Sequence, residues 1–449
     1  MNRRLLALLA VLAAVLLAGA AAGAWVWWET RPQSKLGSAD VEFETTQQPP
    51  PPPPKLAELP WPMYGYDDER THFTPVHRHR PPFAVAWRVE AGDLIEFPAS
   101  VADGRVFVAQ EKGRFFAVDA DTGKILWDRR YRNCAASSPL VRGDVVYQSF
   151  LPWPCPYGPR DVPGLIVAVD ARTGKELWRF RDSGPSESSL LAVGNLLYFG
   201  SWDHKVYAID LRTQRVRWAT ETDAEIDGSA AYSDGTVYIG TNGGSMYALD
   251  ARTGAIRWRS TSYSHFPRGR EYFYATPTVA YGRVFAGNTD GWVYAYGART
   301  GHLLWAQQAG PYVYTAPAVW NQTVYVGSYD GKVYAFDAAT GGLRWSYEAS
   351  GSIHGAPTVM DGLVYFSVCG TCGRRGVRDT KEGRPGTFAL DARSGKLVWT
   401  FWDGRYSPVV ADAKHVYLMG KSRVWALAPC PSRRSPSRTE PYRNVLKRC

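Results

Sequence analysis

Ala117-Val118-Asp119-Ala120-Asp121-Thr122-Gly123-Lys124-Ile125-Leu126-Trp127 decides the fold, because its skeleton, Ala-x-Asp-x-x-Thr-Gly-x-x-x-Trp, returns six more times along the chain. The later copies end at Trp178, Trp218, Trp258, Trp305, Trp345 and Trp399, and Trp87 stands one unit upstream of the first. Successive tryptophans are 40, 51, 40, 40, 47, 40 and 54 residues apart. A basal period of 40 with insertions is the length of a four-stranded propeller blade.

The copy from Ala316 to Trp345 is regular enough to read strand by strand. Ala316-Pro317-Ala318-Val319 alternates small and apolar residues, and Thr323 to Gly327 and Lys332 to Phe336 are β-branched and aromatic at period two. These are strands A, B and C. Asp330-Gly331 supplies the B–C hairpin turn, and Asp337 with Thr340-Gly341 makes the turn into strand D, which ends on Trp345. Four such strands cannot bury their own faces. Radial stacking does so, with the terminal tryptophan filling the gap between blades.

Seven units lie between Trp87 and Trp399, and the remainder, Tyr406 to Ala428, holds three strands. The fourth is the N-terminal run Phe83 to Arg88, so the chain predicts an all-β, eight-bladed β-propeller closed by pairing its two ends, which leaves no free sheet edge. Three copies depart from the skeleton: Gln214 replaces the glycine, Gly297 the aspartate and Ser394 the threonine. Each departure weakens one turn without moving the period.

These motifs, together with the lead-in Trp61-Pro62-Met63-Tyr64-Gly65-Tyr66-Asp67 and Arg70-Thr71, resemble the pyrroloquinoline-quinone (PQQ) repeat propellers, in which the same segment docks one blade on the next. The resemblance covers Trp61 to about Pro429. It implies blade-docking roles for Trp87, Trp127, Trp178, Trp218, Trp258, Trp305, Trp345 and Trp399. For function it implies two classes, because the family holds quinoprotein dehydrogenases and also non-catalytic scaffolds of outer-membrane β-barrel assembly.

Arg3-Arg4 precede an apolar run from Leu5 to Trp28. At about 1.5 Å per residue this run crosses a bilayer. Trp25, Trp27 and Trp28 stand where an interfacial aromatic belt belongs, and the arginine pair predicts a cytoplasmic N-terminus. The expected organisation is an anchor or signal over 1–28, a proline-rich linker over 29–60 with six prolines from Pro49 to Pro54, the propeller over 61–429 and a basic tail over 430–449. The linker reads as a stiff spacer holding the propeller off the membrane. A cleaved signal is the competing reading, and Ala18 to Ala24 supplies small residues for it.

Export makes disulfides the default for the six cysteines, Cys134, Cys155, Cys369, Cys372, Cys430 and Cys449. Cys134 and Cys155 fall on one rim of blade 2, Cys369-Gly-Thr-Cys372 reads as a short loop bridge with a zinc or redox site as the competing reading, and Cys430 and Cys449 bracket the tail. The net charge of +10 concentrates in Arg374, Arg375, Arg378, Lys381 and Arg384 and in the tail. With no nucleic-acid motif in an exported propeller, anionic headgroups or envelope polymers are the natural partners, and a solvated basic surface is the plain alternative.

Strand parity places the D–A and B–C connections on one face. All three long insertions, Leu151 to Gly164, Ser262 to Tyr272 and Gly370 to Gly386, fall there. Elaborated loops on one rim of a rigid scaffold are where binding concentrates. Aligning the blades on their Pro-x-Val position isolates, three residues earlier, Glu96, Ala136, Glu187, Asp227, Tyr274, Tyr314, His354 and Arg405. This nearly all-polar column is the expected lining of a ligand-binding funnel, although water alone would also make a funnel polar. Glu187 and Asp227 are the candidate metal ligands, for calcium, and Tyr274, Tyr314 and Arg405 could grip a planar or anionic ligand. Two functions follow: a monomeric, membrane-anchored, extracytoplasmic scaffold binding an envelope protein or polymer on the loop-rich face, or a PQQ- and calcium-dependent dehydrogenase with Asp227 as general base. The absence of adjacent cysteines and of a haem motif favours the scaffold.

Overall fold

In the computed structural model, residues 3–45, 61–75, 79–155, 158–181, 184–265, 269–370 and 383–430 are described. Eight sheets, each built on four antiparallel strands in meander order, make the propeller. In blade 6 the strands are Ala318–Trp320, Thr323–Gly327, Lys332–Asp337 and Leu343–Glu348, close to the sequence reading. Strands B and C are buried along their length, as in Thr323–Gly327, while D is the exposed outer edge, so that closing the ring joins the chain ends but does not remove the outer edge of each blade. The short A strands of adjacent blades face one another around the axis.

Closure follows the expected route. Phe83–Glu90 pairs antiparallel with Arg423–Pro429, from Phe83 opposite Pro429 to Glu90 opposite Arg423, and becomes strand D of blade 8. The repeat motif then acts at each seam. Asp119 accepts hydrogen bonds from the Thr122 backbone N–H at 2.8 Å and its hydroxyl at 2.7 Å, closing the C–D turn. Gly123 sits in that turn at φ 71°, and a Cβ there would lie 2.8 Å from the Trp87 ring, so the glycine lets the preceding blade's tryptophan stack flat. The Trp87 indole N–H donates to Ala120 O at 2.8 Å. Trp127, Trp218, Trp258, Trp305 and Trp345 make the same bond, to Ala171, Ala251, Ala298, Ala338 and Ala392. Trp178 and Trp399 instead stack on Phe180 and Phe401. At the Trp178 seam the glycine is replaced by Gln214, which adopts φ 58° at the cost of a Cβ.

The entry segment closes the axis from one end. Trp61 pairs with Val101 in blade 1, and carbonyls of Pro62, Asp68, Glu69, Thr71 and His72 accept from Val141, Tyr232, Val279, Val319 and Val359 on the inner strands of blades 2, 4, 5, 6 and 7. The buried Arg70 guanidinium donates to Ser189, Leu190, Ala230 and Tyr64 carbonyls, tying in blade 3. One arginine thus satisfies strand-end carbonyls that would otherwise be buried without partners.

The N-terminal helix spans Arg3–Thr30, with an apolar stretch Leu9–Trp28 long enough to cross a membrane. Residues 33–44, expected to begin a free linker, lie instead along the outer edge of blades 5 and 6. The proline run falls in 46–60, outside the described residues. Cys134 and Cys155 form a disulfide. Cys369 and Cys430 are disulfide-bonded as well, whereas Cys372, Cys449 and the basic residues of 371–382 and 431–449 lie outside the described residues.

Candidate functional site

Each D–A connection returns from the rim to the axis just before strand A, so the residues ahead of the eight A strands crowd one opening. Glu96, Glu187, Asp227, Tyr274, Tyr314 and His354 line a single cavity there, with Phe97 beside them and Tyr64 of the entry segment as its floor. The remaining two members of the column do not line it. Ala136 packs near Trp202 and the Cys134–Cys155 bridge. Arg405 is held back by its backbone bond to Met419 O at 2.7 Å, and Tyr406 bends the chain beside it at φ 64°.

Bonds between non-adjacent blades show how closely the column converges. The Tyr274 hydroxyl of blade 5 donates to Glu187 of blade 3 at 2.9 Å. His354 Nε2 of blade 7 lies 3.3 Å from Glu96 Oε1 of blade 1. Asp227 accepts from the Trp202 indole N–H at 2.5 Å and the Asn242 side-chain amide at 2.7 Å. Tyr274 and Tyr314 meet edge to face with ring centres 5.0 Å apart, and Tyr314 stacks on Tyr329 at 4.8 Å.

Two of the three carboxylates in the mouth hold their protons more tightly than usual. Burial, and then the charges of Asp227 and Glu96, push Glu187 well above the ordinary carboxylate range. Burial also raises Asp227, opposed by its bonds from Asn242 and Trp202. Tyr274 is pushed up by burial and by the Glu187 charge. Among the described residues the cavity lining holds no lysine or arginine, and the positive charge acting on Glu187 and Asp227 is that of Arg160. A cation entering it would be met by carboxylates and by aromatic faces together.

The column alone missed several contributors. Trp202, Asn242 and Tyr329 occupy equivalent B–C turn positions, two residues after Gly200, Gly240 and Gly327, and bond to Asp227, Asp227 and His354 respectively. Aligning the blades on the glycine that ends strand B would have found them. Arg160, in the blade 2 insertion, pairs with Glu225 and lays its guanidinium 4.9 Å over the Trp202 ring. Since Trp202 also packs with the Cys134–Cys155 bridge, the disulfide loop forms one lip of the mouth.

The cofactor expectations can be held against this geometry. The cavity amounts to about 40 Å³, room for water-sized groups, whereas pockets for drug-sized ligands span about 300–1,000 Å³. Tyr274, Tyr314 and His354 line a cavity of that size, and the residues as placed leave no room in it for a three-ring quinone. Among the described residues no group of three or more His, Cys, Asp or Glu side chains is arranged to hold a metal ion, and both Asp227 oxygens already accept hydrogen bonds.

Comparison with known proteins bears on the family. The family described as outer membrane protein assembly factor BamB, a PQQ-repeat group, matches residues 83–225, 203–314 and 289–429. The chain belongs to the PQQ-repeat propeller family. Among solved structures, BamB from Moraxella catarrhalis superimposes with a TM-score of 0.62 at 17% identity, covering 77% of this chain and all (100%) of that one. A quinohemoprotein alcohol dehydrogenase from Pseudomonas putida gives a TM-score of 0.65 at 13% identity, covering 85% and 82%. At such identities the likeness concerns the fold alone. Among curated proteins, a lanthanide-dependent methanol dehydrogenase from Methylacidiphilum fumariolicum is 24% identical over 140 residues, 29% of this chain and 23% of the relative. A 1-butanol dehydrogenase (cytochrome c) from Thauera butanivorans is 30% identical over 132 residues, 26% and 18%. The chain thus spans about a quarter or less of these relatives, and PQQ-repeat membership leaves scaffold and enzyme functions both open.

Proposed function

We propose that this PQQ-repeat propeller is a non-catalytic binding protein, anchored in the membrane by its N-terminal helix with the propeller outside the cytoplasm, and that its funnel mouth takes a cationic side chain of a partner protein or polymer. The observation that carries the reading is the meeting of Glu96, Glu187 and Asp227 with Tyr274, Tyr314 and His354 around a cavity too small for a quinone. The chain itself displays the matching chemistry, for Arg160 seats a guanidinium on Trp202 at the lip. Charge-assisted bonds and an aromatic face suit a lysine ammonium, close to water in size, better than a neutral alcohol.

Calorimetric titration of the full-length protein with oligolysine and oligoarginine peptides tests the reading, with oligoglutamate as control. Saturable binding of the basic peptides, weakened by Asp227→Asn and Glu187→Gln, supports it. Equal heats for acidic and basic peptides would defeat it. The dehydrogenase reading draws on the likeness to alcohol dehydrogenases. Adding PQQ with calcium or a lanthanide and an alcohol, and following dye reduction lost in Asp227→Asn, would establish it instead.

A further inference from the structure

Blade 5 is the one blade whose repeat lacks the turn aspartate, and the segment just after the transmembrane helix supplies the missing carboxylate. Glu42 Oε1 accepts from the Thr300 hydroxyl at 2.6 Å, the bond that Asp119, Asp170 and Asp250 make to Thr122, Thr173 and Thr253 within their own blades. A Cβ on Gly297 would lie 2.1 Å from Glu42 Oε2, so the glycine leaves room for the carboxylate where it is placed.

The rest of the segment is bound as firmly. Lys35 exchanges backbone hydrogen bonds with Ala306 at 2.9 and 3.0 Å, extending blade 5 beyond its strand D. Gly37 N–H donates to Thr340 O and Glu44 N–H to Tyr281 O. The buried Arg283 guanidinium gathers the carbonyls of Ser38, Val41 and Glu42 from the segment and those of Ala338 and Ala339 from blade 6, and it faces the Phe43 ring at 4.9 Å. Under this cover Trp305 is fully buried, at 0% exposure, and Leu303 is half-buried, whereas the equivalent Ile256 and Leu343 are 50% and 57% exposed.

The helix ends at Thr30, and the first contact with the propeller is Tyr263 hydroxyl to Gln33 O at 3.2 Å. From Trp28, at the aromatic belt, to Gln33 is five residues, which reach at most about 18 Å when fully extended. We propose that residues 33–44 clamp the propeller edge-on to the bilayer, with the outer rim of blades 5 and 6 facing the lipid headgroups and the funnel axis running parallel to the membrane. The proline run then lies after the clamp and cannot set the height of the propeller. Leu36 and Val41, 65% and 49% exposed on the outer side of the clamp, are apolar groups that an interface would cover. The inference rests on the proposed retention of the helix.

Full-length protein in nanodiscs carrying headgroup quenchers provides the test. Fluorophores on His302→Cys, at the blade 5 rim, and on Lys124→Cys, at the opposite rim on blade 1, report distance from the bilayer, and intact mass reports whether residues 1–30 remain. Several-fold stronger quenching at 302 than at 124 is expected. Gly297→Asp, which restores blade 5's own turn aspartate and displaces Glu42, should reduce that difference and make Lys35 accessible to trypsin. A flexible insertion of about twelve residues between Arg31 and Pro32, reaching about 20 Å, should abolish the difference with the clamp still protected. Equal quenching at both rims with the mass intact overturns the clamped orientation alone. Loss of residues 1–30 from the mature protein overturns the anchor reading and the orientation with it.

Discussion

The Tyr274 hydroxyl of blade 5 reaches over blade 4 to donate to Glu187 of blade 3 at 2.9 Å. The contact closes the mouth of the funnel with a neutral donor where a cation would be stronger. Burial and the charges of Asp227 and Glu96 outweigh this bond and hold the Glu187 proton beyond the usual range.

That proton makes stability depend on pH. The unfolded chain loses it near the ordinary value of 4.5, whereas the folded chain holds it to higher pH, so this contribution is fully present below about pH 4.5 and is lost as pH rises through the folded value. Glu187→Gln removes the loss. Thermal melts should place the variant level with the wild type near pH 4 and above it near pH 8, and a variant less stable at both would contradict the burial of an uncompensated carboxyl.

The docking tryptophans divide by burial. Trp305 is fully covered, by blade 6 and by the clamp, so Trp305→Ala should cost about 3–5 kcal/mol in chemical denaturation. Trp258 is half-exposed yet bonded to Ala298 O at 2.9 Å, and its truncation should cost about 1–3 kcal/mol. Equal losses would mean that the clamp adds nothing to the blade 5 seam.

Closure gives a sharper outcome. Removing residues 61–90 takes away strand D of blade 8 and the entry segment that gathers the inner strands of the other seven blades. Two sheet edges are then exposed, and the product should aggregate. A soluble truncation with a cooperative melt would show that the ring closes without its terminal strand.

The Cys134–Cys155 bridge closes a loop of 21 residues. Replacing both cysteines by alanine should cost about 2–4 kcal/mol. Because Trp202 packs on this bridge and bonds Asp227, the pair should also weaken binding of basic peptides, measured beside thermal unfolding. Lost stability with unchanged affinity would detach the lip from the mouth.

The fold was legible because one tryptophan and one turn recur with a fixed period, and closure followed from counting strands. Convergence of Glu96, Glu187, Asp227, Tyr274, Tyr314 and His354 was legible too, since strand parity fixes which end of each blade meets the axis. Arg405 broke the count where Tyr406, at φ 64°, bends the chain ahead of the short strand Val410–Ala411. Trp202, Asn242 and Tyr329 were hidden because hairpin turns tolerate many residue types, so their shared position carries no shared chemistry. The clamp was the least visible, although Gly297 was its mark: a lost aspartate reads as decay until Glu42, more than two hundred residues away, is seen in its place.

The decisive measurement is proton release on binding. Titrating the full-length protein with a basic peptide near pH 7, in buffers of different ionisation enthalpy, counts the protons displaced. A cationic side chain seated among Glu96, Glu187 and Asp227 should weaken the hold on the Glu187 proton that burial and the neighbouring carboxylates strengthen, so binding should release protons, and Glu187→Gln should diminish the release. Binding that moves no proton in the wild type, or the same number in the variant, would contradict a cation site at the funnel mouth.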